Sequence, residues 1–178
     1  MLRRLMMLIT LLVLFAVKGT AADLVSMKLC PAKDYDPAAR ECAKGKALEG
    51  SGIQIDPSKI ATVDFLTAVK ATKAEDIYHV WIHGKTSNNV MVYDSATKTL
   101  RSAEDAELMW LTERNITGAM VIVKMTAEES DRFRLRSSKT VTPSMTGAWK
   151  VQVYDSTDTK PLGEMEFTLD KVTPEATN

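Results

Sequence analysis

The fold of this chain is decided by Arg132-Phe133-Arg134-Leu135-Arg136-Ser137-Ser138-Lys139 and, after a turn-rich link, by Gly147-Ala148-Trp149-Lys150-Val151-Gln152-Val153-Tyr154-Asp155. Apolar and polar residues alternate in both stretches, which is typical of β-strands with one buried face and one solvated face. In the first strand this alternation turns Phe133 and Leu135 inward. The opposite face then carries a row of arginines: Arg132, Arg134 and Arg136. The arginine row is either an anion-binding stripe or a solvated surface.

The first residues of the chain predict its compartment. Arg3-Arg4 is a basic start, residues 5–17 form an uncharged apolar run, and Gly19-Thr20-Ala21-Ala22 supplies small residues for cleavage. This pattern predicts a secretory signal peptide over residues 1–22 and an exported protein, either periplasmic or extracellular. Lys18 interrupts the run before the roughly 20 apolar residues that a membrane span needs, so no stable span is expected after cleavage. Retention of the segment as an uncleaved anchor is the alternative.

Net charge argues against one class of partner. The sequence carries 23 basic and 23 acidic side chains, and removal of residues 1–22 would leave three more acids than bases. A general nucleic-acid binder carries a basic excess that displaces counterions from phosphates, so no nucleic-acid partner is expected. The roughly 156 remaining residues fit one domain with its own core.

Cys30 and Cys42 are the only cysteines. In an oxidising compartment a disulfide between them is the expected state. Two metal-binding thiolates are the alternative, but no histidine lies near them in the sequence. The pair predicts a polar, disulfide-tied head over residues 23–58, within which Asp36-Pro37 favours a short helix over residues 37–44.

Seven segments of the remaining chain have the pattern of strands: residues 59–69, 77–83, 88–93, 120–125, 132–136, 148–154 and 164–169. With the turn signals between them, they predict a mainly β fold, an immunoglobulin-like antiparallel β-sandwich of about seven strands. One inserted helix is predicted over residues 103–114, because apolar residues recur at helical spacing after a sequence that resembles a capping box. The sandwich domain is expected over residues 59–171 and a flexible tail over residues 172–178.

Several motifs occur in an order that resembles a known family: His79-Val80-Trp81-Ile82-His83-Gly84-Lys85, residues 132–139, Gly147-Ala148-Trp149-Lys150-Val151, Leu162-Gly163 and Phe167-Thr168-Leu169. Over about residues 59–169 the chain is similar to the bacterial domain of unknown function numbered 2914. The resemblance implies an exported or envelope-associated β-rich domain, and it implies no activity. The family usually has an aromatic residue where this chain has Arg136, and residues 87–119 are longer here than in the family pattern.

The sequence offers a small set of candidate ligand-binding residues: Arg132, Arg134, Arg136, Lys139 and Trp110. The arginine row could converge with Lys139 on an acidic partner or anionic glycan, because guanidinium groups bind carboxylate and phosphate bidentately. The alternative is an exposed face balanced by nearby acids, Glu128, Glu129 and Asp131. Trp110 either anchors the predicted helix to the sandwich or stands exposed as a contact for a partner or a sugar.

His79 and His83 are the only histidines. On a strand, positions four apart are separated by roughly 13 Å, which is too far for both rings to bind one metal ion. No metal site and no cofactor are therefore expected, and His79 is expected to make a buried or rim hydrogen bond beside Trp81. Ser138 and Lys139 should point to opposite faces of their strand, which argues against a Ser/Lys nucleophile pair.

These observations favour a non-catalytic, exported binding or accessory domain that contacts a protein, a glycan or an envelope component. The alternative is a structural subunit of an extracellular or envelope assembly, which would lend edge strands or its head to a neighbour. A homo-oligomer is compatible with either function. An unrecognised hydrolase is less favoured, because the sequence contains no glycine-rich phosphate loop, nucleophile elbow or metalloprotease helix.

Overall fold

A computed structural model describes residues 22–84 and 89–170 of the chain. The predicted signal peptide, apart from Ala22, and the predicted tail at residues 172–178 lie outside the described residues. Within the described ranges the protein is mainly β, with one α-helix, α1 (Asp105–Glu113). The strands are β1 (Ala22–Pro31), β2 (Tyr35–Asp36), β3 (Glu41–Cys42), β4 (Ile53–Ile55), β5 (Thr62–Ala71), β6 (Glu75–His83), β7 (Met91–Asp94), β8 (Thr99–Ser102), β9 (Ala119–Ala127), β10 (Ser130–Thr140), β11 (Gly147–Asp155) and β12 (Gly163–Leu169).

The strands form two main sheets and one small hairpin. A three-stranded sheet has the order β1-β5-β10, a seven-stranded sheet has the order β4-β12-β11-β6-β9-β7-β8, and β2 pairs with β3. Two pairs in the larger sheet are parallel, β4 with β12 and β7 with β9. The prediction of a mainly β sandwich with one helix and an N-terminal disulfide is confirmed, and the antiparallel expectation fails at those two pairs.

The inner faces of the two sheets share one hydrophobic core. Phe65 of β5 meets Trp81 of β6 edge to face, with ring centroids 6.3 Å apart. Trp81 meets Phe167 of β12 in the same way. All three rings are buried, and removal of their apolar surface from water is the main contribution that favours packing of the sheets.

Each of the seven predicted strands is present, and α1 lies inside the predicted helix. Strand β1 was not predicted: it is an edge strand of the three-stranded sheet rather than part of a polar head. A register shift between Leu24 and Ser26 interrupts the alternation of β1, which is the physical reason that its pattern is weak. The head predicted over residues 23–58 is therefore not a separate unit, because β1 and β4 both belong to the sandwich sheets.

The segment that the disulfide ties contains the β2–β3 hairpin. The helix predicted over residues 37–44 is wrong, because Arg40 adopts a φ of 53° and turns the chain back into β3. Asp36 stabilises the turn, since its Oδ1 accepts the N–H groups of Ala38 at 2.8 Å and Ala39 at 3.1 Å. The residues between β1 and β4 are hereafter called the head.

The disulfide places the head on the outer face of the three-stranded sheet. Cys30 and Cys42 are bonded, with their Cα atoms 5.8 Å apart. Cys30 pairs in register with Asp64 of β5, whose sequence neighbours Val63 and Phe65 are core residues on the other face. The bridge therefore lies on the side of the sheet away from the core, and the head lies over that side.

Helix α1 packs on the outer face of the seven-stranded sheet, where a second apolar cluster includes Trp110 and Leu111. Glu107 accepts the main-chain N–H of Glu104 at 2.8 Å, which satisfies one free donor at the start of the helix. Arg101 of β8 is ion-paired to Glu107. The helix is thus attached to the edge of the sheet as well as to its face.

We expect the Cys30→Ala/Cys42→Ala variant to lose about 3 kcal/mol in free energy of unfolding, because the bridge closes a loop with a sequence separation of 12 residues. Urea denaturation of variant and parent measures this loss. Hydrogen exchange should accelerate in the head while β6 and β11 stay protected in the core. Equal urea midpoints for the two proteins would contradict the assigned role of the bridge.

Candidate functional site

The arginine row lies on the outer face of the three-stranded sheet, as the alternation predicts. Leu135 and Ser137 of β10 are buried on the core side, whereas Arg132 and Arg136 are exposed on the other side. The head lies over the same outer face. The arginine row and the head are therefore in contact.

Glu41 of β3 is the acidic partner of two arginines in the row. Its Oε1 accepts hydrogen bonds from Arg134 Nε at 3.1 Å and Nη2 at 2.8 Å, and it lies 3.6 Å from Nη2 of Arg132. Hydrogen bonding by Arg134 lowers the pKa of the Glu41 carboxyl. Arg40 also donates to the main-chain carbonyl of Arg134, at 2.8 Å. The head thus supplies the kind of carboxylate that the sequence predicted as an external ligand.

Arg136 is held between the head and the sheet. Its guanidinium carbon lies 4.0 Å from the ring centroid of Tyr35, and its Nη2 lies 2.9 Å from Oδ2 of Asp64. The Asp64 side chain is fully buried, and among the described residues neither of its oxygens has an aligned hydrogen-bond donor. Arg136 is the counter-charge of this buried carboxylate, which would otherwise be strongly unfavourable in the protein interior.

Lys139 does not converge with the arginine row. Its ammonium lies on the core side of β10, 5.8 Å from the ring centroid of Trp149, and burial lowers its pKa. The acids in contact with the row are Glu41 and Asp64, not the predicted Glu128, Glu129 and Asp131. The row is therefore an internal contact between the sheet and the head.

A buried polar network connects the two sheets. Trp81 Nε1 donates to Ser137 Oγ at 3.1 Å, Ser137 Oγ lies 2.9 Å from His79 Nδ1, and His79 Nε2 lies 3.0 Å from Thr67 Oγ1. Burial lowers the pKa of His79 to about 3, so the ring is neutral. With the ring proton on Nε2, Ser137 donates to Nδ1 and Nε2 donates to Thr67, which satisfies both ring nitrogens. The predicted hydrogen bond of His79 beside Trp81 is confirmed.

The network is a core contact rather than a nucleophile site. Ser137 is buried and already bonded to two side chains, so a substrate would reach its hydroxyl only if the sandwich opened. His83, at the end of β6, lies against Trp149 with ring centroids 4.6 Å apart. The described residues contain no group of three or more His, Cys, Asp or Glu side chains arranged to hold a metal ion.

Trp110 anchors α1 to the sheet. Its ring centroid lies 5.1 Å from that of Tyr78 and 5.3 Å from that of Tyr154. The guanidinium of Arg114 covers another side of the indole, 4.1 Å from its centroid. Of the two roles considered for Trp110, the geometry supports the anchor.

The exposed apolar surface lies next to Trp110 rather than at it. Among the described residues, the exposed large hydrophobic side chains are Val25, Leu100, Leu108 and Met109. Leu108 and Met109 lie on α1, with 43% and 63% of their surface exposed, and Leu100 of β8 is 61% exposed. Helical spacing predicts that Met109 shares the packed face of the helix with Trp110, and this is wrong because Met109 is exposed. Leu100 and Leu108 were not predicted to have a role. The sequence signal for the exposed residues of α1 was that Leu108, Met109 and Trp110 are consecutive apolar residues, which cannot all lie on the single buried face of a helix.

A surface groove of about 320 Å³ lies at one end of the seven-stranded sheet, near Ile53, Gly84 and Ala148. Lys150 also lines the groove, but its ammonium is paired with Glu166 at 2.9 Å and with Glu164 at 3.4 Å. The polar side chain best placed to bind a ligand there is already engaged. The groove therefore has weaker features of a binding site than the surface of α1.

Glu75 and Asp155 are two further buried carboxyl groups, besides Asp64. Burial, together with the charge of Asp155, raises the pKa of Glu75. A raised pKa in the folded state means that this group disfavours folding when it is ionised and ceases to do so as the pH falls. Its contribution to the pH dependence of stability has the opposite sign to that of His79.

Comparison with known proteins supports the resemblance seen in the sequence. Residues 108–169 match the model of a family described as protein of unknown function (DUF2914). The match covers the C-terminal part of the region predicted from the motifs and includes β9 to β12. No curated protein matches the chain.

Among solved structures, the chain is similar to the Pseudomonas fluorescens alkylpurine DNA glycosylase AlkC bound to DNA containing an abasic site analog. The identity is 9%, the TM-score is 0.40, and the alignment covers 84% of this chain and 30% of that chain. A similarity at this level does not establish a shared fold or function. No helix in residues 22–84 or 89–170 has the length and apolar character of a membrane span.

We expect His79 to make stability fall as the pH is lowered. The folded-state pKa of about 3 lies below the unfolded value of roughly 6.5, so between these values only the unfolded chain binds the proton. The free energy of unfolding should therefore fall by up to about 1.4 kcal/mol per pH unit below pH 6.5. His79→Gln removes this dependence, which urea denaturation between pH 5 and 7 measures.

The matched control for this prediction is His83→Gln, which leaves the buried network intact and should retain the parent slope. Carboxyl groups such as Glu75 titrate in all three proteins, so the difference between slopes reports His79. Parallel slopes for His79→Gln and the parent would contradict a neutral, buried His79.

We expect Arg136→Met to lower the free energy of unfolding by about 3 kcal/mol, because it leaves the Asp64 carboxylate buried without a counter-charge. Adding Asp64→Asn should restore at least half of the loss. Arg132→Met is the control, and it should cost less than about 1 kcal/mol because its contact is exposed. Equal losses for the two single variants would show that Asp64 does not depend on Arg136.

Proposed function

We propose that this chain is an exported, non-catalytic binding domain that contacts a protein partner through the exposed surface of α1. The observation that carries the proposal is the pair Leu108 and Met109, consecutive apolar residues that are 43% and 63% exposed on the only α-helix of the described residues. Methionine adapts its shape to a partner and is common at binding surfaces. Helices that present such residues commonly dock into apolar grooves.

The contacts that hold α1 to the sheet favour a binding role. Trp110 and Arg114 hold the helix to the sheet, and Arg101 holds its first turn. A helix fixed in this way loses little conformational freedom when a partner binds, so more of the contact energy appears as affinity. Single exposed apolar residues are common on any protein, but here two are adjacent on a rigid element.

The charges around Leu108 and Met109 indicate the chemistry of the partner. Glu104 and Glu113 lie at the two ends of α1, with 72% and 67% of their side chains exposed. Asp105, three and four positions before Leu108 and Met109, is also exposed on the same side of α1. Exposed apolar side chains among acidic ones are complementary to an apolar groove that carries basic residues. Such a groove on a protein fits this surface better than a glycan or a nucleic acid, which offer little apolar area.

Export is part of the proposal. It rests on the signal-peptide pattern of the first 22 residues and on the disulfide between Cys30 and Cys42, which is compatible with an oxidising compartment. The alternative, a structural subunit of an envelope or extracellular assembly, is favoured by one feature, the open edge of β8.

The proposal is tested with tagged wild-type protein and the variants Leu108→Asp and Met109→Asp, recovered from the native host. A partner enriched by the wild type is then purified and titrated against each protein. We expect at least a tenfold loss of affinity for each variant, because a buried charge replaces an apolar contact in the interface.

Val25→Asp is the matched control, since Val25 is 45% exposed on β1 and does not lie on α1. It should bind the partner as the wild type does. Thermal unfolding of all variants checks that α1 remains folded. Wild-type affinity in the Met109→Asp and Leu108→Asp variants would overturn the proposal.

A further inference from the structure

Strand β8 is the last strand of the seven-stranded sheet, so one of its edges has no neighbour in the described part of the chain. All four of its residues are exposed. An open edge presents main-chain N–H and C=O groups that can pair with another strand, and proteins commonly block such edges with charged residues or proline. Whether this edge is blocked depends on which main-chain groups face outward.

The hydrogen bonds beside β8 give these directions. Ala103 N–H donates to the Val90 carbonyl at 2.8 Å, so residues 90 and 103 form a hydrogen-bonded pair. Because such pairs alternate along an antiparallel ladder, the register assigns Val92–Arg101 and Asp94–Thr99 to the same class. The N–H and C=O groups of Leu100 and Ser102 must then point away from β7.

The other side of β7 agrees with this assignment. Ser95 N–H donates to the Lys124 carbonyl of β9 at 2.9 Å. The main-chain N–H and C=O groups of residues 91 and 93 point the same way as those of residue 95, so they bond to β9. Their partners across the β7–β8 ladder, Ser102 and Leu100, therefore receive no hydrogen bond from β7. Two independent contacts therefore give the same orientation.

The outward edge of β8 is open at Leu100. The carbonyl of Ser102 accepts a hydrogen bond from Arg101 Nη1 at 3.1 Å, so it is already engaged. The rest of the Arg101 guanidinium is turned onto Glu104, which precedes α1, and onto Glu107 within the helix. Arg101 therefore occupies the edge at Ser102 and leaves it open at Leu100. The centre of the edge is a leucine whose side chain is 61% exposed and whose main-chain N–H and C=O pair with no described strand.

We propose that β8 pairs with β8 of a second copy of this chain, antiparallel and about a two-fold axis at Leu100, which joins the two seven-stranded sheets into one. At this register the two Leu100 residues exchange both main-chain hydrogen bonds, and their side chains bury each other. An isologous contact of this kind closes after two copies.

Charge favours this register over the one with its two-fold axis at Arg101. A two-fold axis at Arg101 would place the two Arg101 residues directly opposite each other, and like charges at such positions are unfavourable. The axis at Leu100 instead places Arg101 opposite Thr99, so no like charges face each other within β8. The self-complementarity of this sequence is the reason to prefer a second copy over an unrelated strand.

The inference does not rest on the proposed binding function. Leu100 lies on the face of the sheet opposite α1, because its neighbour Arg101 contacts Glu107 of the helix. The strand is only four residues long, so the buried area is small and the dimer is expected to be weak. Its formation should depend strongly on protein concentration.

Sedimentation velocity of the purified protein, at concentrations up to about 1 mM, tests for the expected weak dimer. Leu100→Pro removes only the outward N–H and is compatible with an edge strand, so it should raise the dissociation constant at least tenfold without loss of thermal stability. Met109→Asp is the control and should dimerise as the wild type does. A wild-type protein that stays monomeric, or a Leu100→Pro variant that dimerises normally, overturns the proposal.

Cysteine cross-linking tests the register. Directly opposed residues of a hydrogen-bonded pair have Cα atoms about 5.5 Å apart, which suits a disulfide. Under mild oxidation, Leu100→Cys should therefore give a covalent dimer, whereas Thr99→Cys, which is offset from its own copy, should not. Equal cross-linking of both variants, or of neither, overturns the proposed axis.

Discussion

The hydrogen bonds of His79 cross the interface between the two sheets, and the orientation of the remaining strands depends on them. Thr67 and Ser137 belong to the three-stranded sheet, whereas His79 and Trp81 belong to the seven-stranded sheet. An apolar core tolerates small shifts, but a buried polar group that loses its partner costs about 1–3 kcal/mol. The network therefore favours one alignment of the sheets. Since Ser137 is fixed inward, the alternation of β10 fixes the arginine row outward.

An outward arginine row and a buried Asp64 together explain the position of the head. The disulfide reduces the number of conformations open to the head before folding. It also holds Glu41 and Tyr35 beside the arginine row. Glu41 forms ion pairs with two of the arginines, Arg132 and Arg134. Tyr35 covers the third, Arg136, which is the counter-charge of Asp64. What resembles an anion-binding site in the sequence is thus an internal interface between segments more than 90 residues apart.

The seven strands, the helix and the disulfide were predictable because each has a local signal: alternation, helical spacing or a pair of cysteines after a signal-peptide pattern. Strand β8 has no such signal, since all its residues are exposed and no buried face marks it. The partner of the arginine row could not be predicted, because pairing with Glu41 is a tertiary contact. One clue was present in Val63-Asp64-Phe65, where a charged residue within an apolar strand requires a counter-charge.

Within residues 22–84 and 89–170, pairing inside the fold leaves the surface around β8 and α1 as the principal one without a partner. A two-fold axis between antiparallel strands is perpendicular to the sheet, so a dimer through β8 would place both copies of α1 on the same face. Two binding helices on one face would engage a partner with two grooves, or two partners side by side, and the second contact would form at high effective concentration. A weak dimer would then be stabilised by its ligand, because any molecule that binds the paired form more tightly shifts the equilibrium toward it.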